Sequence, residues 1–134
     1  MTGLFQIAGV IAGLWLVGLG VWMALRPRQA LGVLAAMGGT PAVHFGEMAV
    51  RVLIGAALIG AAPPSHAPAL LTVFGGFLIV SALALMLLPR RLHSAYSTWW
   101  AARIPAAAVR VIAPLSVAAG AALIWSLNPE WPTV

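Results

Sequence analysis

Residues 69–91 read ALLTVFGGFLIVSALALMLLPRR, an uncharged apolar run that ends on a proline and two arginines. A hydrocarbon core about 30 Å thick is crossed by roughly 20 residues of α-helix, so this stretch predicts a membrane span over about 69–88 with its basic end at a headgroup layer. Working outward, three further runs have the same character. Residues 4–25 carry Gln6 as their one strongly polar side chain, 41–62 carry His44, Glu47 and Arg51, and 105–127 carry Arg110 and Pro114. The expected fold is all-α: a polytopic membrane protein in a single domain, with four transmembrane helices arranged as two repeated hairpins.

Composition agrees with the bilayer as solvent. The 134 residues are 63% hydrophobic and 7% charged, which leaves too little polar surface to solvate a globule. There is no cysteine, which excludes disulfides, thiolate metal sites and cysteine nucleophiles. The net charge of +5 comes from seven arginines and no lysine, set at or near the ends of the apolar runs. Anionic lipid headgroups are therefore the expected counter-charge rather than nucleic acid. The first run lacks a basic leading segment and is followed directly by Arg26, so it reads as a permanent span rather than a cleaved signal.

Arg26, Arg28 and Arg51 flank one connection, and Arg90, Arg91, Arg103 and Arg110 the other. Short arginine-rich loops stay on the cytoplasmic side, so both termini are expected outside, in the periplasm of a bacterial inner-membrane protein. The connection at 63–68, Pro-Pro-Ser-His-Ala-Pro, has no arginine and suits a tight outer turn.

The halves 1–62 and 67–127 resemble each other. Leu25-Arg26-Pro27-Arg28-Gln29 resembles Leu87-Leu88-Pro89-Arg90-Arg91, Thr40-Pro41 matches Ile104-Pro105, and Gly55-Ala56-Ala57-Leu58-Ile59 recurs as Gly120-Ala121-Ala122-Leu123-Ile124, in the same order at offsets of 62, 64 and 65. Each half then reads as helix, basic turn, in-plane segment, helix, the two being related by an axis along the membrane normal. In the second half the in-plane segment is expected to be an interfacial amphipathic helix. Leu92, Ala95, Tyr96, Trp99, Trp100 and Ala102 lie on one side of it, and Arg90, Arg91, Ser94, Ser97 and Thr98 on the other. Its counterpart, Arg28 to Gly39, has three glycines and is expected as a short frayed helix or a loop. Arg26, Arg28, Arg90, Arg91, Tyr96, Trp99 and Trp100 form the expected lipid interface.

Gly9 and Gly13 make a GxxxG spacing that serves either the protein's own helix packing or a dimer seam. Polar chemistry enters a span only at His44, Glu47 and Arg51, whose spacings of three and four share one helix face. A carboxylate at that depth needs a partner. Arg51 offers one; the repeat offers another, because Glu47 lies six residues beyond Pro41 and Arg110 five beyond Pro105, and a Glu47 to Arg110 contact is expected. Pro114 is expected to kink its helix and free the Arg110 carbonyl, with Ser116 available to satisfy a freed group. Trp22, Trp125 and Trp131 fit interfacial belts, whereas mid-span Trp15 is expected to pack on a neighbour.

The three histidines read as scattered. No second spanning histidine faces His44 for haem ligation, no two share helical spacing for a metal, and the two glutamates, Glu47 and Glu130, are expected near opposite faces, which excludes paired-carboxylate catalysis. Neither a cofactor nor an enzymatic activity is expected.

Leu87 to His93, the Trp99-Trp100 pair, and Arg110 to Pro114 followed by Gly120 to Trp125 resemble a family of small uncharacterised bacterial four-span inner-membrane proteins, a resemblance that covers chiefly the second half and implies no activity. The outline is similar to the DoxX-like four-span fold. The chain is unlike small multidrug resistance transporters, which carry a carboxylate in their first span. Three functions stay open: an accessory, assembly or scaffolding subunit beside a larger membrane partner or its own copies; a small transporter or channel with His44, Glu47, Arg51 and Arg110 at its cytoplasmic mouth; and a sensor of anionic lipid.

Overall fold

A computed structural model of the chain describes residues 2–127. Six helices follow one another: α1 (Thr2–Leu25), α2 (Pro27–Ala36), α3 (Pro41–Ala61), α4 (Pro68–Leu87), α5 (Arg90–Arg103) and α6 (Ala106–Leu127). Among the described residues the fold is all-helical, and α1, α3, α4 and α6 are long and apolar enough to cross a membrane. Between 17% and 28% of each span's most apolar window is buried inside the protein, so most of that surface needs an apolar solvent.

Proline sets the boundaries. Pro27, Pro41 and Pro68 occupy the first turns of α2, α3 and α4, where a missing N–H costs nothing. Pro89 caps α5, and Pro105 directly precedes α6. At α3 the hydroxyl of Thr40 also accepts from the Val43 N–H at 3.2 Å, satisfying one of the helix's orphan donors. The segment expected to be frayed between Arg28 and Gly39 forms a ten-residue helix, α2, because it packs along α5. Tertiary contact outweighs the propensity cost of Gly32.

The spans associate as two tight pairs, α1 with α6 and α3 with α4, and α1 also packs on α3. Glycine makes both pairs possible. A Cβ on Gly55 would lie 2.6 Å from the Gly75 carbonyl oxygen, and one on Gly75 equally close to the carbonyl of Gly55. Gly13 and Gly120 meet in the same way, each against the other's carbonyl. Backbones this close gain dispersion contact that no larger residue permits. Gly9 faces Leu127 of α6. Both members of the GxxxG spacing thus pack the chain's own helices.

The pairs converge at the end holding the turn between α3 and α4. Leu58, Ala61, Ala62, Leu71 and Leu127 form a buried cluster there, with Phe5 and Leu123 against it. Gln6 serves this end: its side-chain amide donates to the Leu127 carbonyl at 3.2 Å, one of the orphan acceptors closing α6. His66 stacks on Trp125 with ring centroids 4.6 Å apart. At the opposite end α2 and α5 lie against each other. Trp15 departs from its expected packing role, being 61% exposed on the outer face of α1. Gly9, Gly13 and Gly20 form the side of α1 that meets α6, and Trp15 lies off that side. Ser116, expected to serve its own helix, donates instead to the Leu16 carbonyl of α1 at 2.8 Å. Trp131 and Glu130, with the tail around them, lie outside the described residues.

Candidate functional site

The site begins with a chain reversal. Gly38 lies between α2 and α3 with φ of +73°, a conformation that suits glycine. The space above it is occupied as well: a Cβ there would lie 2.9 Å from the Ser94 nitrogen and 3.0 Å from Nδ1 of His93. Arg90 fixes the same corner by donating to the carbonyls of Gly38 at 3.2 Å and Gly39 at 2.7 Å. The Thr98 hydroxyl, which donates to the Ser94 carbonyl of its own helix at 2.8 Å, lies 3.4 Å from the Ala35 carbonyl where α5 meets α2. The result is that α5 lies across the start of α3 and lowers His93 onto its first turn.

There His93 meets His44. Their Nδ1 atoms are 2.8 Å apart, and the two residues are 6% and 1% exposed. An imidazole nitrogen either donates or accepts, so one ring donates and the other accepts across this contact. Nε2 of His93 lies 3.5 Å from Oε2 of Glu47, within ion-pair range but not aligned as a hydrogen bond, and that oxygen is buried. The other oxygen, Oε1, accepts from Arg51 Nη2 at 2.8 Å. Nη1 of Arg51 donates to the Ser81 hydroxyl at 3.1 Å, and Ser81 donates to the Leu78 carbonyl at 2.9 Å. A polar chain therefore runs from His44 of α3 to His93 of α5, back to Glu47 and Arg51 of α3, and on to Ser81 of α4.

Its chemistry follows from donor counting. With His93 neutral and its proton on Nε2, facing the carboxylate, Nδ1 accepts and His44 donates from Nδ1. With both histidines neutral the cluster's formal charge is zero, Glu47 against Arg51, the composition expected of ionised groups in a span.

Of the residues singled out from sequence, His44, Glu47 and Arg51 share one face and one network, whereas Arg110 does not join it. The Glu47 to Arg110 contact is not formed. Nε of Arg110 donates to the Ala24 carbonyl of α1 at 3.4 Å, and Glu47 is taken up by Arg51 and His93. Counting from matched prolines predicts depth but not direction: α1 packs on both α3 and α6, and Arg110 lies on the α1 side. The histidines are not all scattered either, because α5 folds back over α3. His93 and Ser97, four apart on α5, are buried, whereas Arg90, Arg91 and Thr98 are exposed, and spacing along α5 alone gives no sign that His93 reaches α3.

The outward side of α5 carries Leu92, Tyr96, Trp99 and Trp100, all exposed. Trp99 and Trp100 meet edge to face at 4.9 Å, and the Arg103 guanidinium lies 3.9 Å from the centre of the Trp99 ring. Arg26, Arg28 and Arg91 are exposed at this same end. Comparison of the chain with protein-family models, with curated proteins and with solved structures finds no match.

Proposed function

We propose that the protein is a non-enzymatic multi-pass protein of a bacterial inner membrane that serves as an accessory, assembly or scaffolding subunit, joined to a larger membrane partner or to its own copies. One observation carries the reading: the polar side chains of the spans are engaged internally. Glu47 and Arg51 hold each other, Ser81 takes Arg51 and a carbonyl, Ser116 bonds α1, Thr72 donates to the Pro68 carbonyl, and Gln6 closes α6. Among the described residues these side chains bond to one another or to nearby carbonyls, and Oε2 of Glu47 is the buried side-chain atom without a hydrogen bond. What the network does accomplish is mechanical, tying α5 to α3 and α4 so that its aromatic side is presented at the membrane surface. By the arginine bias this is the cytoplasmic side and both termini lie outside.

Two hairpins of common origin, 1–62 and 67–127, fit this architecture. Gly13 and Gly75 are 62 apart and Gly120 and Gly55 are 65 apart, the same offsets as the basic turns and the Gly-Ala-Ala-Leu-Ile repeats. The Gly13 to Gly120 crossing is thereby the counterpart of the Gly75 to Gly55 crossing.

A small transporter with the cluster at its cytoplasmic mouth is the second reading, favoured by the buried histidine pair and the buried Oε2 of Glu47 beside it. Proton flux into vesicles containing the purified protein separates the two. On the accessory reading wild type and Glu47→Gln leak protons no faster than empty vesicles; a flux that Glu47→Gln abolishes would establish transport instead.

A further inference from the structure

On the side of the α2/α5 end away from the histidines, a pocket of about 340 Å³ opens where α1, α2 and α6 meet. Its walls are Leu25, Arg26, Arg28, Gln29, Ala106 and Arg110. Three guanidinium groups converge here with no carboxylate among the described residues to balance them, since Glu47 is engaged with Arg51 and His93. Arg110 is held through Nε on the Ala24 carbonyl, which leaves the fork of its terminal nitrogens for a ligand. Two helix starts also meet at the pocket. The first turn of α2, whose N-cap Arg26 makes no side-chain capping bond, forms one wall, and the first residue of α6 another. Their free N–H groups and dipoles add to the positive field.

Beside this pocket, with Leu25 in the wall of both, lies an apolar groove of about 460 Å³. Gly20, Val21 and Ala24 of α1 line one side of this groove and Pro114, Ala118 and Ala121 of α6 the other. The groove is shallow because these side chains are small and the backbones are close: a Cβ on Gly20 would lie 2.7 Å from the Ala113 carbonyl oxygen. A basic pocket that adjoins an apolar groove between two long helices has the polarity of one amphiphile, charged head and hydrocarbon tail together.

We infer that this is a binding site for one anionic glycerophospholipid, its phosphate held by Arg26, Arg28 and Arg110 and an acyl chain laid in the α1/α6 groove. The site rests on the reading that the arginine-bearing end meets lipid headgroups, but it makes a stronger claim than surface attraction, because it is local and has a place for the tail. A bound lipid would also bridge the α1/α6 pair to the first turn of α2.

The test uses the full-length protein in a neutral detergent, offered equal amounts of phosphatidylglycerol and phosphatidylcholine, with native mass spectrometry reading lipid retained per chain. Phosphatidylglycerol should be retained over phosphatidylcholine, and replacing Arg26, Arg28 and Arg110 with Gln should weaken retention by about fivefold for each arginine removed. Ala118→Phe, on the outward face, should fill the groove and reduce retention with all three arginines intact, which keeps the test decisive if the triple variant fails to fold. Equal retention of the two lipids would overturn the proposal, as would undiminished retention in both variants. An equal loss in Arg91→Gln with Arg103→Gln, outside the pocket, would overturn the site and leave only general attraction to anionic surfaces.

Discussion

At the scale of single residues, His44 and His93 carry the strongest mutual dependence in the molecule. Each is buried, and each is the other's partner at 2.8 Å. Truncating either to Ala leaves the other imidazole with a buried nitrogen unsatisfied, a loss of about 1–3 kcal/mol. Removing both deletes the contact and its penalty together, so the double variant should be no more than slightly less stable than the single ones. Thermal unfolding of the four proteins in detergent gives this cycle, and a coupling of about 1 kcal/mol or more is expected for residues in one network. Additive effects would mean that the rings do not share a hydrogen bond. Glu47, Arg51 and their spacing were legible in the sequence, because an i,i+4 pair is a local property of one helix. His93 was not, since its meeting with His44 depends on the left-handed turn at Gly38 and on the angle at which α5 returns. Both are tertiary facts that helical spacing cannot encode.

At the scale of elements, hydrophobic run length located the four long apolar helices to within two residues at each end, and prolines located the breaks. That success has a simple cause. In a bilayer every backbone polar group must be satisfied within its own segment, so a long apolar run has few alternatives to a helix. The in-plane helices are different. Of α2 only a weak helix was legible, because its stability comes from α5. The division of α5 into an aromatic and a polar side does not say which side meets the protein: Leu92, Tyr96, Trp99 and Trp100 are exposed, whereas His93 and Ser97 are buried. The crossings of α1 with α6 and of α3 with α4 give a prediction of their own. Gly13→Val and Gly55→Val each place a branched side chain against a facing backbone carbonyl and should cost about 1–3 kcal/mol by overpacking, read as a fall in the melting temperature of the detergent-solubilised protein. The same substitution at Gly46, where a Cβ meets nothing within 4 Å, should change it far less. Comparable losses at all three positions would argue that helix propensity, not close crossing, governs the effect.

At the scale of the whole molecule, the Glu47 network lies toward the α2/α5 end, Gln6, Ser65, His66 and Ser126 lie at the other, and exposed apolar side chains cover the four long helices between them. On the proposed accessory role, that apolar surface is where a membrane partner or another copy of the chain would be met. The most direct measurement is the mass of the assembly released when the tagged protein is drawn gently from its native membrane. The accessory reading predicts a particle well above the 13.9 kDa of one chain, holding either a larger membrane partner in fixed ratio or several copies of this chain. Elution as a lone monomer, with no partner at fixed ratio, would contradict it.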